Sequence, residues 1–197
     1  AEIKRPFIIE GEEVVIGMSV GIAMAPLSGT RPDQILRNAD LALYRAKDDG
    51  RSVYRFFESQ MDSDARERRL LEVELRDAIG NRELVLYYQP LVSAESEEPV
   101  GFEALIRWNH PIRGLVPPVE FIPVAEHSNL IVDIGDWTIE QACMAASTWP
   151  EHLTVAVNLS AKHFRRSDIT QVVQKALAMS GLAPKRLEIE ITEGLLM

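Results

Sequence analysis

The sequence predicts an α/β fold in which strands alternate with helices and carry polar side chains on one face. Three segments alternate apolar and polar residues as half-buried strands do, namely residues 101–108, 154–159 and 187–192. Because side chains along a strand point alternately to its two faces, Glu103, Asn158 and Glu190 each lie opposite an apolar face. Helical segments separate these strands, which favours βα units and a barrel with its helices outside. Three half-exposed antiparallel strands with one solvated face are the alternative.

The first part of the chain, residues 1–58, is predicted to contain a β-hairpin, a helix and a final strand. The hairpin pairs residues 7–9 with a return strand over residues 14–23. A helix over residues 33–47 follows, because apolar side chains recur there at helical spacing and a glycine stops the pattern. Residues 53–57 are predicted to form the last strand of this part.

Residues 59–80 are predicted to form a charged helix that links two domains. Leu71, Leu75 and Ile79 recur every four residues and give this helix an apolar stripe opposite a polar face. The Gly-Asn pair at 80–81 ends the helix. The stripe is too short for heptads to be counted, and a dimeric coiled coil is an alternative that the pattern leaves open.

The rest of the chain contains four predicted strands and three predicted helices. The strands are residues 84–89, 101–108, 154–159 and 186–192, and the helices are residues 119–127, 133–149 and 168–180. Pro118 suits the first turn of the first of these helices. Asn129 tolerates the left-handed conformation that the following turn needs. Residues 110–118 are predicted to be a loop.

Composition and charge narrow the classes of partner. The chain has 197 residues and a net charge of −9, which argues against a nucleic-acid polymer as ligand, since its phosphates favour a basic surface. A small phosphate ligand stays compatible, because a metal and a few arginines can hold it locally. The single cysteine, Cys143, forms no internal disulfide, which fits a cytoplasmic location. No run of 18 apolar residues occurs, so no membrane segment is expected in this chain, and an anchor upstream stays open.

An ordered set of motifs from about residue 68 to residue 197 closely resembles the EAL domain family. The matching segments are Tyr87-Tyr88-Gln89-Pro90, Glu103-Ala104-Leu105-Ile106-Arg107-Trp108, His110-Pro111, Phe121-Ile122-Pro123-Val124-Ala125-Glu126, Asn158-Leu159-Ser160 and Glu190-Ile191-Thr192-Glu193. A lone Glu-Ala-Leu carries no weight, but these segments in this order are a specific signal. Members of this family have a (β/α)8 TIM-like barrel and hydrolyse the bacterial second messenger cyclic di-GMP. The resemblance implies part of such a barrel and a role in bacterial signal transduction.

The resemblance also implies a metal site. In the family, the positions matching Glu103, Asn158 and Glu190 bind metal. Their carboxylate and amide oxygens are hard ligands that suit Mg²⁺ or Mn²⁺. Two such ions about 3.5–4 Å apart supply the nucleophile and the charge neutralisation that hydrolysis of a phosphodiester needs. Glu188 shares the parity of Glu190 but is expected to lie deeper, in a structural role.

Further positions are implied in binding cyclic di-GMP. Gln89, Leu105 and Arg107 match family positions that contact the ligand, and a guanidinium suits a phosphate or a guanine edge. Leu105 is expected to line the pocket. Glu193 belongs to the same motif as Glu190 and is expected to orient ligands or a loop from behind them.

The first part of the chain resembles the C-terminal third of the GGDEF family, the diguanylate cyclases. The resemblance is carried by Ser19-Val20-Gly21-Ile22-Ala23 and by residues 39–51. In that family the residues matching Lys47 and Arg51 contact nucleotide phosphates. Helix capping and ordinary surface charge also explain two cations four positions apart near a helix C-terminus. The Gly-Gly-Asp/Glu-Glu-Phe motif is absent, so this phosphate site is expected to be vestigial and the chain is not expected to be a working cyclase.

The combined interpretation has three parts: the C-terminal part of a GGDEF domain over residues 1–58, a linker helix over 59–80 and the N-terminal half of an EAL domain over 81–197. In the family, an Asp-Asp-Phe-Gly-Thr-Gly segment and a later Lys and Glu complete the site, and all of these would follow Met197. We therefore expect a fragment of a longer parent, inactive alone and prone to associate, with a homodimer as one form. The parent is expected to be a metal-dependent phosphodiesterase that converts cyclic di-GMP to linear pGpG. A catalytically inactive module that binds cyclic di-GMP or a protein partner is the alternative.

Overall fold

The computed structural model describes residues 6–191. It divides the chain into two compact units, one ending at Leu70 and the other beginning at Leu71. Each unit has its own strands and helices, and the division falls inside a long helix.

The first unit contains two small two-stranded sheets and a helix. Strands β1 (Phe7–Ile9) and β2 (Glu12–Val14) form an antiparallel hairpin. Strand β3 (Val20–Ile22), helix α1 (Pro32–Asp48) and strand β4 (Tyr54–Phe56) form a βαβ unit in which the two strands pair in parallel. The helix and the last strand confirm the elements predicted for this part of the sequence.

The return strand predicted over residues 14–23 is wrong as a single element. Its beginning belongs to β2, whereas its end is β3, which pairs with β4 in a separate sheet. Gly21 lies in β3 against α1, and a Cβ there would lie 2.1 Å from the Ala39 carbonyl oxygen and 2.2 Å from the Leu43 nitrogen. The missing side chain lets α1 pack directly on β3. Apolar residues continue from position 14 to position 23 and do not show that the strand partner changes, so the pattern predicts one strand where the structure has two.

Helix α2 (Ser59–Asn81) confirms that the segment predicted over residues 59–80 is helical, and its role as a linker stays a prediction. An ion pair one turn apart, Arg76 with Glu72 at 3.1 Å, lies on its polar face. Leu71 and Leu75 of the predicted apolar stripe are buried in the core of the second unit. The stripe therefore packs within that unit.

The second unit is built on a mixed sheet. Its strands are β5 (Leu84–Val92), β6 (Pro99–His110), β7 (Gly114–Val116), β8 (Thr154–Leu159) and β9 (Leu187–Ile191). Their order is β5-β6-β8-β9, and β7 pairs with the end of β6. Strands β6, β8 and β9 are parallel, whereas β5 and β7 are antiparallel to β6. The parallel pairs confirm the predicted βα units, and β7 corrects the loop predicted over residues 110–118.

Four helices of the second unit lie between these strands. They are α3 (Pro118–Ser128), α4 (Leu130–Ser147), α5 (Ala161–Arg166) and α6 (Ile169–Ser180). Asn129 joins α3 to α4 with a φ of 70°, which confirms the left-handed conformation expected of it. The short α5 was not predicted. Its start is marked by Ser160, whose Oγ accepts a hydrogen bond from the His163 backbone N–H at 3.2 Å.

A buried arginine joins three elements of the second unit. Arg186 is 8% exposed and is the last residue of a 3₁₀ turn, Pro184–Arg186, directly before β9. Its Nε donates to the Leu153 carbonyl at 2.8 Å, and one terminal nitrogen donates to the Ala146 carbonyl at 2.7 Å. The guanidinium thereby connects the end of α4 with the segments that lead into β8 and β9, and it places a positive charge at the C-terminal end of helix α4, where the helix dipole favours a cation.

Within residues 6–191, no helix combines the length and the apolar character that crossing a membrane requires.

Candidate functional site

Six residues singled out in the sequence lie on one face of the sheet in the second unit. Strand pairing sets this arrangement, because residues paired across neighbouring strands share a face and so do residues two positions apart. Gln89 pairs with Glu103, Glu103 pairs with Ala156, and Asn158 pairs with Glu190. The face therefore carries Gln89 on β5, Glu103, Leu105 and Arg107 on β6, Asn158 on β8 and Glu190 on β9. The structure brings these positions together, and their individual roles stay predictions.

Glu103 and Asn158 are in direct contact. Ala156 lies opposite Glu103, so Asn158, two residues further along β8, is its diagonal neighbour. The Asn158 Nδ2 donates to Glu103 Oε1 at 2.6 Å. The half-buried carboxylate thereby has the partner that its position in an otherwise apolar strand requires.

The donor set of this contact suits a divalent cation. The Asn158 amide nitrogen now occupies a position beside the Glu103 carboxylate where a positive charge would be favourable. Turning the amide by half a rotation exchanges its nitrogen for its oxygen and places two oxygen acceptors side by side. Two adjacent oxygens repel each other unless a cation lies between them, and oxygen is the ligand type that Mg²⁺ and Mn²⁺ prefer. The two residues therefore fit a metal of this class.

Two further glutamates lie on the same face on β9. Glu190 pairs with Asn158, and Glu188 pairs with Ala156, so that Glu103 and Glu188 stand on either side of the small Ala156 side chain. Both β9 glutamates are exposed. Among the described residues, no three His, Cys, Asp or Glu side chains are placed close enough together to hold a metal ion. The predicted metal ligands are Glu103, Asn158 and Glu190. Of these three, Glu103 and Asn158 are in hydrogen-bond contact.

Arg107 has an aromatic neighbour that the sequence interpretation did not include. Its guanidinium carbon lies 5.7 Å from the centre of the Tyr87 ring, and one terminal nitrogen donates to the Ile106 carbonyl at 2.8 Å. Tyr87 pairs with Leu105 and is half exposed. A cation over an aromatic face is held by about 0.5–1 kcal/mol at an exposed site. Tyr87 is two positions from Gln89 and therefore lies on the same face of β5, and this spacing could have placed Tyr87 at the site from the sequence alone.

A cavity of about 210 Å³ lies at the end of β8 and the neighbouring part of β6, where it is also lined by residues of the opposite, apolar face such as Ala104 and Leu159. Leu105 and Asn158 contribute to its wall, which continues through α3, α4 and the start of α5. The wall includes Gly135 and His163. The predicted lining role of Leu105 is compatible with this position. The cavity was not predictable from local patterns, because its walls come from segments far apart in the chain.

The two cations predicted as a vestigial phosphate site lie in the first unit. Lys47 is exposed in the last turn of α1, and Arg51 is exposed just after it with a φ of 61°. Gly50, which directly precedes Arg51, also has a positive φ, of 98°. Their predicted contact with phosphate stays a prediction. Glu193 lies outside the described residues.

Burial changes the acidity of one residue beside the site. The pKa of Tyr88 is raised because its side chain is desolvated. Its ring packs edge-on against Trp149 with ring centres 5.1 Å apart, on the face opposite Gln89. Tyr88 therefore stays protonated at neutral pH and acts as part of the packing behind the site.

Comparison with known families gives two matches. Residues 72–197 match the family model of the EAL domain, and residues 1–53 match the model described as diguanylate cyclase, GGDEF domain. The order of the two matches confirms the resemblance found in the motifs.

Known relatives match almost the whole chain. An uncharacterized signaling protein of Caulobacter vibrioides is 47% identical over 191 residues, which cover 97% of this chain and 24% of that protein. The bifunctional diguanylate cyclase/cyclic di-GMP phosphodiesterase MucR of Pseudomonas aeruginosa is 42% identical over 199 residues, which cover 99% of this chain and 29% of MucR. The chain thus spans about a quarter of the length of these curated relatives.

A solved structure has a similar fold. The PaMucR phosphodiesterase in complex with c-di-GMP aligns with a TM-score of 0.62 and 41% identity, over 65% of this chain and 53% of that chain. The alignment confirms the predicted α/β fold with barrel-like architecture.

Proposed function

The chain belongs to the EAL domain family, and we propose that its second unit forms part of the site of a metal-dependent cyclic di-GMP phosphodiesterase. The proposal is carried by one observation: Glu103 and Asn158, on neighbouring parallel strands, are in direct contact on the face that also bears Arg107. MucR, at 42% identity, is named for this activity, and the solved MucR phosphodiesterase holds c-di-GMP. The full protein is proposed to produce linear pGpG.

Glu103, Asn158 and Glu190 would hold Mg²⁺ or Mn²⁺ in this proposal. A divalent metal supplies a nucleophile at neutral pH and neutralises the charge that develops on the phosphate. The Glu103 carboxylate contributes negative charge, and the Asn158 amide oxygen contributes a neutral ligand once the amide has turned. Glu190, beside Asn158 on the next strand, would contribute the second carboxylate. Glu193 is proposed to orient this group.

Arg107, Gln89 and Leu105 would bind the nucleotide. Arg107 carries a permanent positive charge and a planar set of donors that match a phosphate or the edge of a guanine. Gln89 pairs with Glu103 and therefore lies beside the metal ligand, at a distance suited to contacts with the ligand's polar groups. Leu105 contributes apolar surface to the adjoining cavity. The ligand is thereby proposed to lie across β5 and β6 with its scissile phosphate towards β8.

The test is hydrolysis of cyclic di-GMP by the full-length protein with Mg²⁺, followed by chromatographic measurement of the linear product. Glu103→Ala removes a charged ligand and should lower turnover at least about a hundredfold, which corresponds to about 2.7 kcal/mol. Glu151→Gln changes an exposed carboxylate of the turn before β8 and serves as the matched control, with turnover expected to stay at the wild-type rate.

Two outcomes would contradict the proposal. Unchanged turnover in the Glu103→Ala protein would remove the metal assignment. Binding of cyclic di-GMP by the wild-type protein without any hydrolysis, in the presence of either metal, would show a sensor module and replace the enzyme interpretation.

A further inference from the structure

A buried histidine adjoins the candidate site. The His163 side chain is 1% exposed and belongs to α5, which begins soon after Asn158. Its Nε2 lies 2.7 Å from Asp136 Oδ1 on α4, and since a carboxylate only accepts, Nε2 carries the proton and donates. The other ring nitrogen, Nδ1, is buried and has no hydrogen-bond partner among residues 6–191. The Nε2 side of the imidazole is therefore held by its hydrogen bond to the Asp136 carboxylate, and the Nδ1 side faces the protein interior.

The backbone of Gly135 lies directly against this ring. A Cβ at Gly135 would be 2.2 Å from Nδ1 and 2.5 Å from Cε1 of His163. Real side-chain atoms do not approach this closely, so any larger residue at position 135 would push the imidazole away. The imidazole therefore fits into a notch on α4 that only glycine provides, beside the carboxylate of Asp136.

Helix α5 is tied to its neighbours at its first turn. Ser160 Oγ accepts the His163 backbone N–H at 3.2 Å, and Lys162 Nζ donates to the Glu126 carbonyl on α3. The imidazole adds the connection to α4. Asn158 is separated from this helix by only two residues, so these ties hold the end of β8 in place. Asn158, Ser160 and His163 line the same cavity.

We infer that His163 is a positioning residue that fixes Asn158 for metal binding. The inference rests on the proposed function, in which Asn158 is a metal ligand. Groups that orient a metal ligand from behind typically contribute 10–100-fold to metal affinity. Replacing His163 leaves the proposed metal ligands Glu103, Asn158 and Glu190 chemically unchanged. A weaker metal affinity would therefore show that these ligands are no longer correctly placed.

The experiment is calorimetric titration of the full-length protein with Mn²⁺, together with the melting temperature of each variant. His163→Ala should weaken Mn²⁺ binding about tenfold. Gly135→Ala should have a similar effect, because the new Cβ displaces the ring without removing it. His163→Gln should stay within about threefold of the wild type, since its amide N–H can replace Nε2 as the donor to Asp136.

His110→Ala is the matched control. His110 is also buried, at 5% exposure, and its Nδ1 accepts hydrogen bonds from the backbone of Ile112 and Arg113 at the turn after β6. Its loss should lower the melting temperature without changing the Mn²⁺ affinity. A merely structural role of His163 would give the same result as His110, and this would overturn the inference.

The remaining outcomes separate the inference from the proposed function. If Mn²⁺ binds and Glu103→Ala abolishes the binding, the metal assignment stands. Unchanged affinity in both His163→Ala and Gly135→Ala then refutes the positioning role alone. If the wild-type protein binds no Mn²⁺, both the metal assignment and the positioning role are refuted. Tenfold weaker binding in both variants, with near wild-type affinity in His163→Gln, supports the inference.

Discussion

Replacing Arg186 should destabilise the second unit more than any single surface change. Arg186→Met keeps most of the apolar stem and removes the guanidinium, so the Leu153 carbonyl loses this donor and the Ala146 carbonyl keeps only backbone N–H donors such as that of Trp149. A hydrogen bond from a charged donor contributes about 1.5–3 kcal/mol. The two short bonds together therefore give an expected loss of about 3–6 kcal/mol, and the longer contacts to the Trp149 and Pro150 carbonyls are left out of this sum.

The assay is urea unfolding of the chain followed by tryptophan fluorescence. All three tryptophans, Trp108, Trp137 and Trp149, belong to the second unit, so the signal reports that unit. With a denaturant slope of about 2 kcal/mol per molar urea, the midpoint should fall by about 2 M.

A neighbouring residue supplies the control for this prediction. Lys185→Met removes an exposed positive charge one position away and should change the stability by less than about 0.5 kcal/mol. If Arg186→Met lies within about 1 kcal/mol of the wild type, the guanidinium does not hold these elements together, and the reasoning is refuted.

Three further tests concern the contact between α1 and β3, the turn at Asn129 and the burial of Cys143. Gly21→Ala should destabilise the first unit by about 3 kcal/mol or more in thermal unfolding, because its Cβ would meet the backbone of Ala39 at 2.1 Å; an unchanged melting temperature would show that α1 does not pack on β3 at this distance. Asn129→Ala should cost about 1–2 kcal/mol in urea unfolding and Asn129→Gly should not, since only the alanine is strained at a φ of 70°; equal losses would argue against the left-handed turn. Burial raises the pKa of the Cys143 thiol to about 11, so at pH 8 its reactive thiolate is about a hundredfold scarcer than at the ordinary pKa of 9.0. Labelling of Cys143 by a thiol reagent should therefore be slow at pH 8, faster as the pH approaches 11 and fast at pH 8 in urea, and rapid labelling of the folded chain at pH 8 would contradict this.

Side-chain parity predicted most of the candidate site. Glu103, Asn158 and Glu190 were assigned to the polar faces of three strands, and pairing of these strands places them on one face of one sheet. The face on which a side chain lies follows from its position along its own strand, so it can be predicted without knowing the neighbouring strands. The left-handed turn at Asn129 was predictable for the same reason, because it depends on the residue itself.

Features that depend on distant residues were not predictable from local patterns. Strand β7 is three residues long and exists because β6 supplies its partners, and α5 is a helix of six residues. The contact between His163 and Asp136 joins residues 27 positions apart on two helices. The domain boundaries predicted at residues 58 and 80 and the role of Glu193 stay predictions.

Under the proposed function, the amide at position 158 would let the sheet fold before any metal ion is bound. An amide can donate as well as accept, so its NH2 group satisfies the Glu103 carboxylate when no cation is present. An aspartate at this position would set two negative charges against each other, and β6 and β8 would then pair at full strength only after a cation had bound. If Asn158 is a metal ligand as proposed, a newly made chain would fold first and acquire its ion later. A cell whose metal content fluctuates would thus vary the loaded fraction of this protein while its folded amount stays constant.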